Sequence, residues 1–330
     1  MTQSLTGSSG TLRVGTRASV LATTQSGLIA DALRTRGHHT TLVEIISDGD
    51  RLTGSLAEIG GTGVFVGALR SALLAGEVDL IVHSLKDLPT APCVGITLAA
   101  VPLREDPRDA LVARDSLTLG ELPVGSRVGT GSPRRTAQLR ALSLGLEISD
   151  IRGNVDTRIA KVRSGEYDAV VLARAGLARL GRLDEITEVL DPLQMLSAPG
   201  QGALAVECRS GDHDLRVLLA DLDDVGTRAA VGAERALLAG LEAGCSAPVG
   251  ALAEVAEGDD GPELWLRAIA ISPDGVLSVK MSSTGSVDDA LGVGTRLASA
   301  MLADGAVSVM ASPAPTAEVA AVTPVRRHEA

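Results

Sequence analysis

From Leu12 onward, short β-rich runs alternate with amphipathic stretches, and this alternation restricts the fold more than any other feature of the 330-residue sequence. The run LRVGT at 12–16 precedes a stretch whose apolar residues share one helical face, and TLVEIIS at 41–47 follows it. The segment 64–75 is predicted to be a helix, and DLIVHS at 79–84 a buried strand. Strands and helices in alternation indicate βαβ units with helices packed on a sheet.

A second α/β block begins after REDPRD at 104–109, a charged, proline-containing segment that we interpret as a crossing between domains. Helices are predicted to begin after Ser132, after Asn154 and near Ala175, because Ser or Asn before a helix and Pro at its first position are start signals. The Gly/Pro turn and strand SAPGQGALAVE at 197–207 are expected to return the chain to the first block.

The last third of the chain has a different pattern. A helix is predicted over 227–243, followed by alternating strands of an antiparallel sheet and a final helix over 287–303. We therefore expect a disordered tail at 1–11, a first α/β domain at 12–103 plus about 200–222, a second at 104–199, an α+β domain at 223–311 and a loose tail at 312–330.

Composition argues against several classes of protein. A net charge of −11 and a pI near 5.0 argue against nucleic-acid binding, which depends on a basic surface. The three cysteines, Cys93, Cys208 and Cys245, are widely spaced and contain no CxxC, which argues against a disulfide framework or a structural zinc site. The histidines form no HExxH or comparable cluster, so no metal site is predicted. With no secretory leader or membrane-length apolar run, we expect a cytoplasmic protein.

Charged side chains at predicted element ends are candidates for a binding site. Lys86 and Asp87 follow a buried strand, at the end where ligands bind in α/β sheets. Arg134, Arg135 and Arg158 lie in the opening turns of two helices, where the macrodipole disfavours cations and an anionic ligand would remove the conflict. The alternative is a solvated turn for Lys86 and Asp87, and solvated surface side chains for the three arginines.

Cys245 is predicted to lie in a loop, between the end of a helix at Gly244 and Pro248. A single cysteine is more often a small buried apolar residue, but in a loop its thiol is expected to be accessible. Nothing in the neighbouring sequence gives a reason for thiolate formation, and both interpretations remain open on the residues alone.

An ordered set of motifs resembles the porphobilinogen deaminase family. The resemblance extends from about Leu12 to about Ala303. Its motifs are VGTRAS at Val14, GTGVF at Gly61, VHSLKDLP at Val82, REDPRD at Arg104, SPRR at Ser132, RGNVDTR at Arg152, AGLARLG at Ala175, PGQGAL at Pro199 and LEAGCSAPVG at Leu241. Each motif alone is weak, but the ordered set is specific.

The resemblance implies a fold and an activity. The fold would have two periplasmic-binding-protein-like α/β domains with a hinged cleft between them, plus a smaller α+β domain. The activity would be that of a transferase of haem and porphyrin biosynthesis. It would condense four porphobilinogen molecules, with release of ammonia, into the linear tetrapyrrole hydroxymethylbilane. The primer would be a dipyrromethane cofactor held through a thioether to Cys245, and we expect the protein to be a monomer.

The resemblance also implies roles for individual residues. Asp87 matches the catalytic carboxylate, which stabilises cations and shuttles protons. The cofactor-binding positions would be Lys86, Ser132, Arg134, Arg135 and Arg158, and the substrate-binding positions Arg17, Ser19, Phe65, Arg152, Arg179 and Gln201. Arginine suits this ligand because every pyrrole carries an acetate and a propionate. The sequence departs from the family pattern at Thr62 and Glu58, where many members have basic residues.

Two other functions use the same features. A two-domain receptor or sensor would bind an anion in the cleft without catalysis, but it would give Cys245 no role. A thiol enzyme would use Cys245 directly, yet the sequence offers no clear His or Asp partner for it.

Overall fold

The computed structural model describes residues 10–45, 63–243, 247–258 and 261–312, with the backbone alone described at 63–65. These ranges contain thirteen strands and nine α-helices. The strands are β1 (Thr11–Thr16), β2 (His39–Glu44), β3 (Leu80–Ser84), β4 (Ile96–Ala100), β5 (Asp109–Ala113), β6 (Arg127–Gly129), β7 (Glu147–Ser149), β8 (Ala169–Ala173), β9 (Glu188–Val189), β10 (Leu204–Arg209), β11 (Val249–Gly258), β12 (Gly261–Ile271) and β13 (Ser278–Ser286). The helices are α1 (Val20–Thr35), α2 (Gly63–Leu74), α3 (Pro133–Ala141), α4 (Val155–Arg163), α5 (Arg174–Arg179), α6 (His213–Ala220), α7 (Val225–Gly240), α8 (Ala290–Ala303) and α9 (Ala306–Ala311).

The first sheet has the strand order β2-β1-β3-β10-β4. β1 runs parallel to β2 and β3, and β10 is antiparallel to both of its neighbours. Successive residues of β3 face opposite sides: Leu80 packs in the core beneath α1 and α6, and Ile81 packs in the core beneath α2. Because both faces are covered, β3 is continuously apolar in sequence from Leu80 to Val82.

The second sheet repeats this arrangement in the order β7-β6-β8-β5-β9. Its parallel strands are β7, β6 and β8, and β5 is antiparallel to β8 and β9. In each sheet, the antiparallel strand next to the edge follows a crossing from the other sheet. The chain crosses once between β4 and β5 and returns between β9 and β10, so the two sheets share two connections.

The third sheet is antiparallel, with the order β11-β12-β13. Helices α7 and α8 cover one of its faces and form a core with it. On the other face, Ile269 and Ile271 pack with Leu196 and with Ala137 of α3. This small cluster joins the third sheet to the second.

The expected fold class, two α/β units with a smaller α+β unit, is confirmed. The helix predicted over 227–243 is shifted: it begins at Val225 because the carboxylate of Asp224 accepts a hydrogen bond from the backbone N–H of Thr227, 2.7 Å away. It ends at Gly240, and Glu242 has a left-handed φ of 51°. Residues 1–9 and 313–330, in the two expected tails, lie outside the described residues.

Candidate active site

A cleft of about 520 Å³ lies between the first and second sheets. Its walls come from the loop between β1 and α1, the end of β3 and the first turns of α3, α4 and α5, which is the position expected for a ligand site in α/β sheets. Seven of the residues predicted from the sequence line it: Arg17, Ser19, Lys86, Asp87, Arg135, Arg158 and Arg179.

Lys86 and Asp87 lie on a single 3-10 turn, Leu85–Asp87, directly after β3. The apolar residues on either side hold the turn in place, since Leu85 and Leu88 are 0% and 3% exposed. The backbone N–H of Leu85 also donates to the carbonyl of Ala203, 3.0 Å away. With its leucines buried, the turn presents the half-buried Lys86 and Asp87 to the cleft.

The first turn of α3 places Arg134 and Arg135 against a buried carboxylate. The hydroxyl oxygen of Ser132 caps the helix by accepting from the backbone N–H of Arg135 at 3.4 Å. Arg134 donates from Nη2 to Oδ2 of Asp109 at 2.8 Å, and Arg135 donates from Nη2 to Oδ1 at 2.8 Å. Each guanidinium also donates to a backbone carbonyl, that of Leu196 for Arg134 and that of Val171 for Arg135.

The carboxylate of Asp109 therefore supplies negative charge that was expected to come from an anionic ligand. The side chains of Arg134 and Arg135 are only 4% and 7% exposed. Arg135 still lines the cleft, whereas Arg134 lies behind the lining residues. The positive charge of the first turn of α3 is thus balanced by the carboxylate of Asp109. Of the two guanidinium groups, that of Arg135 faces the cleft.

Burial shifts the titration of the cationic side chains in the cleft. Burial, with the neighbouring Arg135 cation, lowers the pKa of Lys86 to about 8. Burial also lowers the pKa of Arg158 and Arg179, which remain charged at neutral pH because an arginine titrates so far above it. A group of partly desolvated cations favours an anionic ligand that neutralises it.

Arg158 and Arg179 are both anchored by backbone carbonyls. The Nε of Arg158 donates to the carbonyl of Gly153 at 2.9 Å. The Nη2 of Arg179 donates to the carbonyl of Gly202 at 2.6 Å. Each contact leaves other N–H groups of the guanidinium for a ligand.

Four predicted site residues lie outside the cleft lining, namely Ser132, Arg134, Arg152 and Gln201. Arg152 is exposed and its Nε donates to Asp150 at 3.2 Å. Gln201 is fully buried, and its side-chain amide donates to Asp109 and to the carbonyl of Pro107, both at 2.7 Å. Its Oε1 accepts from Nζ of Lys86 at 3.4 Å, so Gln201 connects the 3-10 turn to Asp109.

Other sequence-based predictions fall on residues that are not described. Cys245, Glu58 and Thr62 lie outside the described residues, and so does the side chain of Phe65. Helix α2 begins directly after residues 46–62, and Cys245 falls between α7 and β11 in the sequence.

Two buried carboxylates that organise the site were not predicted from the sequence. Asp109 is one, and Glu234 of α7 is the other. Glu234 forms an ion pair with Arg104 at 2.7 Å and accepts from the backbone N–H groups of Gly200 at 2.6 Å and Ala253 at 2.8 Å. REDPRD contains two members of these networks, Arg104 and Asp109, but nothing in the sequence identifies their partners.

Two features are absent from the described residues. They contain no group of three or more His, Cys, Asp or Glu side chains arranged to hold a metal ion. Among their helices, none has both the length and the apolar character needed to cross a membrane.

Comparison with known structures gives low similarity. An ancestral cationic amino acid solute binding protein is 19% identical, with a TM-score of 0.38 over 64% of this chain and 88% of that chain. An ancestral arginine-binding protein bound to arginine is 17% identical, with a TM-score of 0.35 over 65% of this chain and 91% of that chain.

Comparison with known sequences covers most of the chain. Residues 12–217 match the family described as porphobilinogen deaminase, dipyromethane cofactor binding domain, and residues 229–303 match the porphobilinogen deaminase C-terminal domain. The porphobilinogen deaminase of Mycobacterium tuberculosis strain H37Rv is 59% identical over 304 residues, which cover 91% of this chain and 98% of the relative. That of Mycobacterium avium strain 104 is 57% identical, with 91% and 96% covered. With this cleft, its cations and both domain matches, the chain belongs to the porphobilinogen deaminase family, transferases of porphyrin biosynthesis with a dipyrromethane cofactor.

Proposed function

We propose that the cleft between the first and second sheets is where this enzyme condenses porphobilinogen into hydroxymethylbilane. The supporting observation is its charge pattern: Arg17, Lys86, Arg135, Arg158 and Arg179 line it together with the carboxylate of Asp87. A second carboxylate, that of Asp156, also lines the cleft but pairs with Arg182 at 2.8 Å. A substrate that carries two acid groups and reacts through cations needs both features, cations around its acids and a carboxylate for its reacting centre.

The residues of the cleft fit a dipyrromethane. Two pyrroles, each with an acetate and a propionate, carry four carboxylates, and the five cations of the lining are enough to neutralise them. We assign this binding to Lys86, Arg135 and Arg158 in the lining, with Ser132 and Arg134 behind it. When bound, the dipyrromethane supplies the primer for the growing chain. Arg134 uses two of its five N–H groups on Asp109 and on Leu196, and its buried Nε has no hydrogen-bond partner among the described residues.

We assign the covalent attachment to the thiol of Cys245. Of the three cysteines, Cys208 is fully buried in the first sheet, and burial raises the pKa of its thiol to about 11, which opposes thiolate formation. Cys93 lies in the loop between β3 and β4 and is absent from the cleft lining. Cys245 follows α7, which carries Glu234 and is tied through it to the loop of Gly200.

Asp87 is the proposed catalytic residue. Porphobilinogen must lose ammonia to give a cationic azafulvene, and a carboxylate beside the pyrrole nitrogen lowers the energy of that cation. The same carboxylate can take up and return a proton during the reaction. Among the described residues, Asp87 has no hydrogen bond or ion pair that would occupy it.

The incoming substrate is assigned to the remaining cations and polar groups. Arg17 and Ser19 line the cleft at the start of α1, and Arg179 lines it at the opposite side. Arg152 lies next to this lining, beside Gly153. Gln201 would act through Lys86, and Phe65 is assigned by its match to the family alone.

The domain division, oligomeric state and compartment belong to the same proposal. We divide the enzyme into a first domain at 12–103 plus about 200–222, a second at 104–199 and a third at 223–311, because each contains one sheet. A monomer in the cytoplasm suits a small acidic substrate that reaches the cleft by diffusion. The alternative of a receptor without catalysis is not favoured by the family to which the chain belongs.

Intact mass spectrometry tests the proposed attachment. The purified enzyme should carry extra mass equal to two condensed pyrrole units, and it should turn coloured with an acidic aldehyde reagent for pyrroles. Cys245→Ser should lose both signals, whereas the matched Cys93→Ser control should keep them. Extra mass retained by Cys245→Ser would place the attachment elsewhere, and an unmodified wild-type mass without ammonia release from porphobilinogen would support the receptor.

A further inference from the structure

Asp109 has an unusual position for an acidic side chain. It is the first residue of β5, it is 0% exposed, and it comes directly after the crossing from the first sheet to the second. Its two oxygens accept from three side chains, those of Arg134, Arg135 and Gln201, at 2.7 to 3.2 Å. A buried carboxylate is retained only when it is paired and hydrogen-bonded, and Asp109 satisfies both conditions.

The contacts of Asp109 fix the direction in which Arg135 points. Arg135 uses Nε and Nη2 on Oδ1 of Asp109 and Nη1 on the carbonyl of Val171. A guanidinium has five N–H groups, so these three contacts leave two of them for a ligand in the cleft that Arg135 lines. The orientation of a clamp for carboxylates is thus set by a group that does not touch the ligand.

Asp109 also acts on Lys86 through an intervening amide. The side chain of Gln201 donates to Asp109 at 2.7 Å and accepts from Nζ of Lys86 at 3.4 Å. The described charges that act on Lys86 include the cations of Arg134 and Arg135 and the carboxylates of Asp87 and Asp109. Removal of Asp109 takes one of these two carboxylates away and leaves both guanidinium groups in place.

We propose that Asp109 is a positioning residue of the cleft, which holds Arg135 toward the ligand and keeps Lys86 protonated through Gln201. This inference rests on the proposed function, because it requires that Arg135 and Lys86 bind the carboxylates of the pyrroles. It predicts that an amide cannot replace the carboxylate. Asn at this position would turn an NH₂ toward one guanidinium and leave both arginines without a buried counter-charge.

The titration of Lys86 provides a test that does not depend on activity. The chain has only three lysines, Lys86, Lys161 and Lys280, so acetic anhydride labelling at a series of pH values, read by peptide mass spectrometry, follows each one separately. The full-length Cys245→Ala protein with and without Asp109→Asn gives both samples the same cofactor state. Lys161 and Lys280 serve as internal controls.

The expected result is a lower midpoint for Lys86 in the Asp109→Asn protein. Removing a nearby negative charge should lower it by roughly half a pH unit or more, with Lys161 and Lys280 unchanged. An unchanged or raised midpoint would overturn the proposal. Should circular dichroism show that Asp109→Asn does not fold, Gln201→Leu breaks the same connection and should also lower the midpoint, and an unchanged value there would be equally decisive.

Steady-state kinetics of the Cys245-containing enzyme test the effect on Arg135. Asp109→Asn should raise the KM for porphobilinogen at least roughly tenfold, because carboxylate binding weakens when the clamp is misdirected. The matched control is Asp168→Asn. The carboxylate of Asp168 pairs with Arg114 at 2.6 Å and lies outside the cleft lining, so this variant should keep the wild-type KM. Equal KM values for the two variants would contradict the proposal. If the wild-type enzyme itself lacked activity, the proposed function would fail, and the labelling would still decide the role of Asp109.

Discussion

Asp87 and Asp156 are acidic side chains of the same cleft with different surroundings. Asp156 pairs with Arg182, whereas Asp87 has no hydrogen bond or ion pair to a described residue. A carboxylate without a fixed partner is able to exchange protons and to approach a cation in the substrate. This difference separates their expected contributions to turnover.

We expect Asp87→Asn to lower kcat by about 10²- to 10⁴-fold, because the amide keeps the shape of the side chain but neither transfers a proton nor stabilises a cation. The melting temperature should stay within about 2 °C of wild type, since Asp87 makes no hydrogen bond or ion pair to another described residue. Initial rates of ammonia release measure the first effect, and circular dichroism the second.

The matched control for this prediction is Asp156→Asn, which changes the other carboxylate of the cleft. It should retain turnover within about tenfold of wild type, because its ion pair is partly exposed. Comparable losses in the two variants would show that the cleft needs negative charge in general, and Asp87 would lose its special role.

The titration of Lys86 makes the free energy of unfolding depend on pH. Burial lowers its pKa in the folded protein to about 8, from 10.5 in an unfolded chain. Below pH 8, folding therefore has to desolvate a charged amine. Between pH 8 and 10.5 the unfolded state binds more protons than the folded state, so this group adds stability as the pH rises.

We expect Lys86→Met, in the Cys245→Ala protein, to be more stable than its parent at pH 7. The gain should shrink as the pH rises from 8 toward 10.5, because the parent then folds with a neutral amine. Urea unfolding at several pH values measures the difference, and Lys280→Met, which changes an exposed lysine, should show no such trend. A gain that stayed constant over this pH range would rule out titration of Lys86 as its cause.

At the scale of the structural element, the turn of residues 199–203 connects the cleft to the crossing from the first sheet to the second. Gly202 has a φ of +89°, and its backbone carbonyl accepts from Arg179. A Cβ at this position would lie 2.3 Å from the backbone carbonyl oxygen of Glu105. The turn therefore requires glycine for two independent reasons, its left-handed backbone and its close approach to another chain segment.

We expect Gly202→Ala to lower the free energy of unfolding by about 2 kcal/mol or more, since strain of this kind costs about 1 to 3 kcal/mol before the steric overlap is counted. KM should rise as well, because movement of the turn displaces Arg179. Gly211→Ala is the control: its Cβ would meet no heavy atom within 4 Å, and its φ is not positive. Urea unfolding and steady-state kinetics check both variants, and equal stability of the two would contradict the account of the turn.

The sequence predicts the elements better than it predicts the partners of their side chains. The strand at 79–84 and the starts of helices at Ser132 and Asn154 follow from local patterns, and the structure has β3 at Leu80–Ser84, α3 after Ser132 and α4 after Asn154. Arg134 and Arg135 were correctly placed in a first turn, but their partner, Asp109, is distant in sequence. Helix capping depends on neighbouring residues, whereas an ion pair across a fold depends on topology that no local pattern contains.

At the scale of the whole molecule, Glu234 connects three parts of the enzyme. Its carboxylate is 0% exposed and binds Arg104 at the crossing between the sheets, Gly200 in the turn next to the cleft and Ala253 in the third sheet. All three contacts lie in the interior, where an unsatisfied partner is costly. Glu234 thus joins the third sheet to the turn next to the cleft.

We expect Glu234→Gln to lower the free energy of unfolding by about 3 to 5 kcal/mol, because it leaves the buried guanidinium of Arg104 without its counter-charge. A partly exposed pair provides the control: Glu254→Gln removes the partner of Arg267 and should cost at most about 1 kcal/mol. Denaturant unfolding compares the two. Similar, small losses would mean that the buried network contributes no more than a surface ion pair does.

The two connections between the first and second sheets limit how the sheets can move. A single linker would allow the two sheets to rotate about it or to move apart. Two chain segments that cross side by side restrict twisting, so bending about a common line is the easiest motion. Bending about that line widens or narrows the gap between Arg17, next to the first sheet, and Arg135, next to the second. A product that lengthens by repeated additions can therefore be given more room by a change of one angle, while Arg135 keeps its contacts to Asp109 and Val171 of the second sheet.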